Sequence, residues 1–203
     1  MDKVSYALGM SIGQNLVNSG IKSLEIDDFV RGVKSFLDKT VPEISAEEGN
    51  EVLGKFFTEI NKEREKMEKE LLAEAKKASE LYLQSNAKQD GVEVTASGLQ
   101  YRIINKAEDH NVTPTAHSRV KCHYEGKLIT GDVFDSSYQR GEPVVFSLEQ
   151  VIPGWTEGLQ LMSVGDKYEF TISPELAYGD VGVPGHIPGN SVLIFTVELL
   201  EIL

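Results

Sequence analysis

Apolar positions recur at helical intervals in the first part of the chain and at alternate positions in the rest. Tyr6, Leu8, Ile12, Leu16 and Val17 are spaced by mixed steps, which predicts a helix with apolar contacts on more than one side. Gly20 ends it. Ile26, Phe29, Val30, Val33, Phe36 and Leu37 repeat at three and four, predicting a second, amphipathic helix that Pro42 closes off. Ser45 then offers an N-cap, with Glu47 and Glu48 in the first turn, where carboxylates favour the positive end of the helix dipole. From there no proline occurs until Pro114, and Leu53, Phe57, Ile60, Met67, Leu71, Ala75, Ala78 and Tyr82 keep one face apolar. A helix over 45–89 would extend roughly 65 Å at 1.5 Å per residue, beyond the diameter of a small domain. Ten acidic and eight basic side chains lie in that span, so most of its faces are solvated. The greasiest part, Val52, Leu53, Phe56, Phe57 and Ile60, is expected to pack on the first two helices. Those helices are short and apolar on several sides, which points to an interface with a second copy of the chain. The alternative is a self-contained three-helix bundle with a projecting stalk.

After Asp90-Gly91 the period becomes two. Leu99, Tyr101 and Ile103 alternate with Gln100, Arg102 and Ile104, while Val120, Cys122 and Tyr124, and Tyr168, Phe170 and Ile172, alternate with polar neighbours. The run from Val192 to Leu200 reads as a strand covered on much of both faces. One short helical candidate, Gly154–Leu161, lies among these strands. The expected fold class is therefore α+β: an all-helical region over 1–44, a long connecting helix over 45–89, and over 90–203 antiparallel strands wrapped on one short helix.

Composition narrows the chemistry. A net charge of −12 and a pI near 4.8, with no run of Lys and Arg, exclude nucleic acid as a partner. The single cysteine, Cys122, forbids an internal disulfide, is compatible with a reducing compartment, and shares parity with Val120 and Tyr124, as a buried structural thiol would. No apolar run reaches the ~20 residues needed to span a bilayer, and no membrane partner is expected. The first residues lack the charged-then-apolar pattern of a secretory leader. The chain reads as cytoplasmic, or as periplasmic or surface-located where a leader has been removed. None of His110, His117, His123 and His186 forms a metal-ligand pair at H-x₃-H or H-E-x-x-H spacing. The nucleophile elbow, the P-loop and the dinucleotide fingerprint are all missing. No cofactor or metal is expected.

What remains is a set of aromatic and aliphatic residues in turn-rich segments: Tyr124, Phe134, Val151-Ile152, Trp155, Tyr178, Ile187 and Phe195, with Asp135 and Arg140 nearby. A long Gly/Pro loop, Ala177 to Gly189, sits among them, and such loops more often carry function than scaffold. On pattern alone, a core made of these aromatics is the default reading.

Five segments settle the direction. Val120-Lys121-Cys122-His123-Tyr124-Glu125-Gly126, Gly131-Asp132-Val133-Phe134-Asp135-Ser136-Ser137, Val151-Ile152-Pro153-Gly154-Trp155, Ala177-Tyr178-Gly179 and Phe195-Thr196-Val197-Glu198-Leu199-Leu200 resemble, in order and spacing, FKBP-type peptidyl-prolyl cis-trans isomerases. Ser5-Tyr6-Ala7-Leu8-Gly9 and the charged helix resemble the N-terminal half of the bacterial Mip-like and FklB-like branch. The resemblance implies a V-shaped homodimer joined through N-terminal helices, with catalytic domains on helical arms. It also implies isomerase activity on X–Pro bonds, chaperone activity on proline-containing clients, and FK506- or rapamycin-type macrolides as inhibitors. In the family's pocket, Trp155 would be the floor and Tyr124, Phe134 and Phe195 the walls, with Val151 and Ile152 at one side. The Ile152 N–H would hold a substrate carbonyl, Tyr178 would offer its hydroxyl, and Asp135 buttressed by Arg140 would line the polar edge. Val144, Phe146, His186 and Ile187 complete the substrate-binding set. Val144, Val183 and His186 depart from the residues many members carry there, which bears on macrolide affinity and sequence preference.

Overall fold

The computed structural model describes residues 1–108 and 112–203; His110 lies outside them. The chain divides into two compact units, Met1–Lys69 and Glu70–Leu203.

The first unit begins with α1 (Lys3–Asn18), whose Asp2 side chain accepts the Ser5 N–H at 2.7 Å. It ends as its sequence predicts. Gly20 adopts φ 87°, its N–H donates to the Val17 carbonyl, and the Ile21 N–H donates to the Leu16 carbonyl. That pair of bonds is the Schellman closure, which a residue with a Cβ enters at a cost. Helix α2 (Ile26–Leu37) carries Asp27 and Asp28 in its first turn. Helix α3 (Ala46–Asn86) opens where Ser45 accepts the Glu48 N–H at 3.1 Å. No residue from Met1 to Lys69 is buried. Phe36 is 80 % exposed and Leu37 74 %, so these helices do not close a core from their own side chains.

The second unit opposes this. It comprises the end of α3, then β1 (Val92–Val94), β2 (Gln100–Asn105), β3 (Arg119–Leu128), β4 (Val133–Ser136), a single turn α4 (Ser137–Arg140), β5 (Val144–Ser147), α5 (Pro153–Leu159), β6 (Lys167–Ile172), a 3₁₀ turn at Pro174–Leu176 and β7 (Leu193–Ile202). The strands form one antiparallel sheet in the order β1-β2-β6-β7-β3-β4, with β5 also paired to β3. Val120, Cys122 and Tyr124 of β3 alternate inward as their parity predicts. Burial pushes the Cys122 thiol up to about 12. Helix α5 lies close on the sheet: a Cβ at Gly154 would come within 2.5 Å of Ile172, and one at Gly158 within 2.7 Å of Phe170. Trp155 and Leu159 on the same helix enter the core with Phe170, Ile172, Leu193, Val197 and Leu199.

Two local differences from the sequence pattern have physical causes. Gln100, expected to face outward, is buried. Its Oε1 accepts from Asn86 Nδ2 at 2.8 Å, and its Nε2 donates to the Leu83 carbonyl at 2.9 Å. Polar pairing with the end of α3 replaces solvent there. Sequence periodicity also misses α4, which splits the partner of β3 in two: β4 pairs with Glu125–Lys127 and β5 with Arg119–Cys122. At Tyr124, between them, the Ser137 hydroxyl substitutes for a strand, accepting the Tyr124 N–H at 2.8 Å and donating to its carbonyl at 3.1 Å. A backbone edge left bare in the interior would be costly.

Candidate active site

Trp155 is the third residue of α5, placed by Pro153, whose fixed φ suits a first helical position. Three rings surround its indole at near-perpendicular angles. Phe146 lies at 5.0 Å between centroids, Tyr124 at 5.2 Å and Phe195 at 5.3 Å. Phe134 stands edge-on to Phe195 at 5.5 Å. Edge-to-face contacts of this kind are favourable beyond their buried area. Trp155 is 4 % exposed, and its Nε1–H is buried with no acceptor among the described residues. The ring therefore acts through its shape and apolar face rather than as a donor.

The rim is more open. Phe134, Val144, Phe146, Val151, Ile152 and Val183 are half-buried and pack on the same cluster, and Ile187 joins it at 7 % exposure. Among the described residues, the Ile152 N–H donates to no acceptor, although its carbonyl receives the Trp155 N–H at 2.9 Å. A free N–H beside an apolar cluster is suited to a carbonyl oxygen.

One edge of the cluster is polar. The Tyr124 hydroxyl donates to Asp135, Arg140 forms an ion pair with the other Asp135 oxygen, and Arg140 Nη2 donates to the Tyr124 oxygen at 2.9 Å. The guanidinium also sits over the Tyr124 ring, 5.6 Å from its centroid. Burial alone would raise the Asp135 carboxyl, but the Tyr124 hydroxyl and Arg140 outweigh it and hold the group below the ordinary carboxylate range. Burial and the neighbouring carboxylate push Tyr124 up. At neutral pH the arrangement is thus Tyr–OH, carboxylate and guanidinium.

The structure brings together Tyr124, Phe134, Asp135, Arg140, Phe146, Trp155 and Phe195. It places Val144, Val151, Ile152 and Ile187 against the same cluster. Tyr178 and His186 stand apart from that packing: Tyr178 is 41 % exposed, and His186 is exposed at the turn between the bridged residues Val183 and Ile187. Sequence reasoning gave no role to Gly126. A Cβ there would meet Phe195 at 2.6 Å and Phe134 at 2.7 Å, so only a glycine leaves room for the two rings to meet. The spacing of Tyr124 and Gly126 on one strand face was the available signal.

Among the described residues, no group of three or more His, Cys, Asp or Glu is placed to hold a metal ion, and no helix is long and apolar enough to cross a membrane.

Half-buried apolar side chains about an aromatic cluster, beside a free N–H, are suited to a non-covalent contact with a peptide. Comparison with known families names the class: residues 110–200 match the family "FKBP-type peptidyl-prolyl cis-trans isomerase", and residues 1–103 match "Domain amino terminal to FKBP-type peptidyl-prolyl isomerase". The chain belongs to the FKBP-type peptidyl-prolyl cis-trans isomerases and is an enzyme of that type. It is 43 % identical over 201 residues to the FKBP-type 22 kDa peptidyl-prolyl cis-trans isomerase of Escherichia coli, covering 99 % of this chain and 95 % of that one. Against FkpA of Aeromonas hydrophila it is 43 % identical over 209 residues, covering 99 % and 76 %. The crystal structure of FkpA from Escherichia coli superposes with a TM-score of 0.79 at 37 % identity, covering 98 % of this chain and 95 % of that one. The α+β class, with long N-terminal helices before an antiparallel sheet and short helix, is the same in both.

Proposed function

We propose that the hollow over Trp155 accelerates X–Pro isomerisation by drying the amide and favouring its twisted form. Resonance gives the peptide bond a rotational barrier of about 18–20 kcal/mol, so uncatalysed X–Pro bonds exchange on the order of tens to hundreds of seconds. No covalent bond need break. The planar amide has the larger charge separation, so removing water from its carbonyl penalises the ground state more than the twisted state. Each ~1.4 kcal/mol of such preference gives about tenfold in rate. The observation that carries this reading is the ring nest of Tyr124, Phe146 and Phe195 about Trp155, with the free Ile152 N–H at its mouth. In it, the proline ring lies on Trp155 between Phe134 and Phe195, Ile152 binds the carbonyl, and Tyr178 reaches the peptide from the loop. Asp135 held by Arg140 keeps the Tyr124 hydroxyl turned away from the apolar floor. Val144 and His186 shape the rim and set which residues flank the proline. FK506- or rapamycin-type macrolides compete for the same floor.

The working form is a homodimer joined through α1, α2 and the start of α3, whose apolar side chains are uncovered within one chain. Two pockets in one particle bind a client with raised effective concentration, which supports chaperone activity beside catalysis. A client-binding chaperone with incidental isomerase activity is the second reading, favoured by the same uncovered helices. Proline-containing, partly folded polypeptides in the cytoplasm are the expected clients.

A proline-isomerisation assay run with light scattering, on the full chain and on residues 70–203, tests the proposal. Both should turn over a short proline peptide, and only the full chain should have the mass of two. Suppressed aggregation of a proline-free client without turnover would favour the second reading.

A further inference from the structure

Two side chains of α3 are buried, Ser79 at 3 % exposure and Asn86 at 8 %, and both are polar. Polar groups buried on an otherwise solvated helix are there for the bonds they make. Asn86 serves the sheet, donating to Gln100 and, at 3.2 Å, to Thr171. Ser79 serves a loop: its hydroxyl donates to the Asn190 carbonyl at 2.6 Å, across 111 residues of sequence.

Asn190 is a junction. Its Nδ2 donates to the Leu72 carbonyl at 3.3 Å, and its N–H donates to the Gly179 carbonyl at 2.8 Å, next to Tyr178. It makes these bonds at φ 58°, in the left-handed region that asparagine tolerates better than other side-chain-bearing residues. Between Gly179 and Asn190 the loop is closed by Val183 and Ile187, which exchange N–H···O bonds of 2.8 and 2.9 Å. The limbs of the loop and the helix touch at Gly189, where a Cβ would lie 1.9 Å from the Asp180 oxygen and 2.8 Å from Leu72 Cδ2. Ile187, at the far end, is buried in the aromatic cluster. The loop thus packs against that cluster and has its foot on α3.

We infer that Ser79 and Asn190 are positioning residues of the isomerase site. The end of α3 clamps the loop from Tyr178 to Ser191 and holds Tyr178 and Ile187 where a bound proline peptide meets them. The inference rests on the isomerase reading and adds the helix to the catalytic unit. A loop released from the clamp spends part of its time in arrangements that do not bind, and apparent affinity falls by the competent fraction. Rotation within the bound complex is untouched. KM should rise and kcat should not.

The test uses the full chain and a short proline peptide. Ser79→Ala should raise KM about fivefold, the order expected for one hydrogen bond, with kcat within about twofold. Ser79→Thr, which keeps the hydroxyl, should restore the wild-type KM. Asn190→Gly, which tolerates the same φ but lacks the Leu72 bond, should raise KM less than Ser79→Ala. The double variant should fall short of the product of the two effects, because both act on one clamp. Hydrogen exchange at the backbone amide of position 190 should speed up in both single variants. A folded Ser79→Ala with wild-type KM overturns the inference. So does a loss in kcat that Ser79→Thr does not repair, which marks a merely structural role. If Ser79→Ala does not fold, unchanged KM in Asn190→Gly is decisive against it. An inactive wild-type chain would instead strike the isomerase reading itself.

Discussion

Residues Met1–Lys69 and Glu70–Leu203 both carry strong apolar patterns, yet only the second unit satisfies its own. In it Val120, Phe170, Leu193 and Leu199 are fully buried, whereas in the first Tyr6, Leu8, Val17, Phe36 and Leu37 are each more than half exposed. An amphipathic period states that a face must be covered; it does not state by what. A sheet of seven strands has enough residues on one side to enclose α5. Two helices of 16 and 12 residues and the start of a third do not enclose one another. The same physics that completes one core leaves the apolar faces of the other uncovered within one chain.

The sharpest way to break this contrast is Phe36→Glu. If α2 is covered by a second chain, a charge there should weaken self-association by about thirty- to a thousandfold, the range of an interface hot spot. Turnover of a short peptide should remain as in wild type. Light scattering reads the mass, and a wild-type chain that stays single at tens of micromolar would show that these faces meet only water. On the other side of the comparison, Phe134→Ala removes a half-buried wall while leaving the core closed. We expect kcat/KM to fall at least tenfold with the circular dichroism of the sheet intact, and full activity would contradict the pocket. The same substitution at Trp155 is a less clean probe, because that ring is also core and its loss to alanine costs about 3–5 kcal/mol. Gly126→Ala should lower kcat/KM about fivefold and stability by about 1–3 kcal/mol, since the new methyl must push Phe134 or Phe195 aside. A denaturant titration alongside the assay separates the two effects.

Titration should do less still. Asp135 is held below its ordinary value, so its stabilising contribution is complete above the unfolded carboxylate value of about 3.9 and is lost only as pH falls through the lower folded value. Tyr124 is raised and stays protonated. From about pH 5 to 9, kcat/KM should therefore vary less than about twofold, and a midpoint inside that range would show that another group governs the site. The smallest effect belongs to Cys122: with its thiol buried and raised to about 12, iodoacetamide at pH 8 should label the native chain negligibly and the unfolded chain fully.

Much of this was readable beforehand. The pattern at Ile26, Phe29, Val33 and Leu37 marks α2 at the bounds observed, and Ser45 marks the start of α3. The alternation through Val120, Cys122 and Tyr124 gives the inner face of β3, and the aromatic segments give the ring cluster. Apolar periodicity is legible because it repeats. Ser79, Asn86, Gln100 and Asn190 do not repeat, and each looks like a solvated residue until a partner far along the chain is placed against it. Residue by residue, the family pattern anticipated Trp155, Tyr124 and Phe195 in contact. It could not say that Tyr178 and His186 would stand on the exposed side of a loop, because that follows from the turn at Val183–Ile187 and from Asn190. The turn α4 escaped notice because four residues carry no period.

That turn has a consequence for the company the enzyme keeps. Extended, incompletely folded chains, the clients proposed for it, are the species most ready to add themselves to any bare row of amide groups. At one border of the sheet lies a strand of three residues, and at the other two of four residues, separated by α4. Where the latter two part, Ser137 occupies the gap with a side chain that cannot propagate a ladder. A client bound at the proposed site would find nowhere alongside to zip on, so its release would not be delayed by strand addition to the sheet.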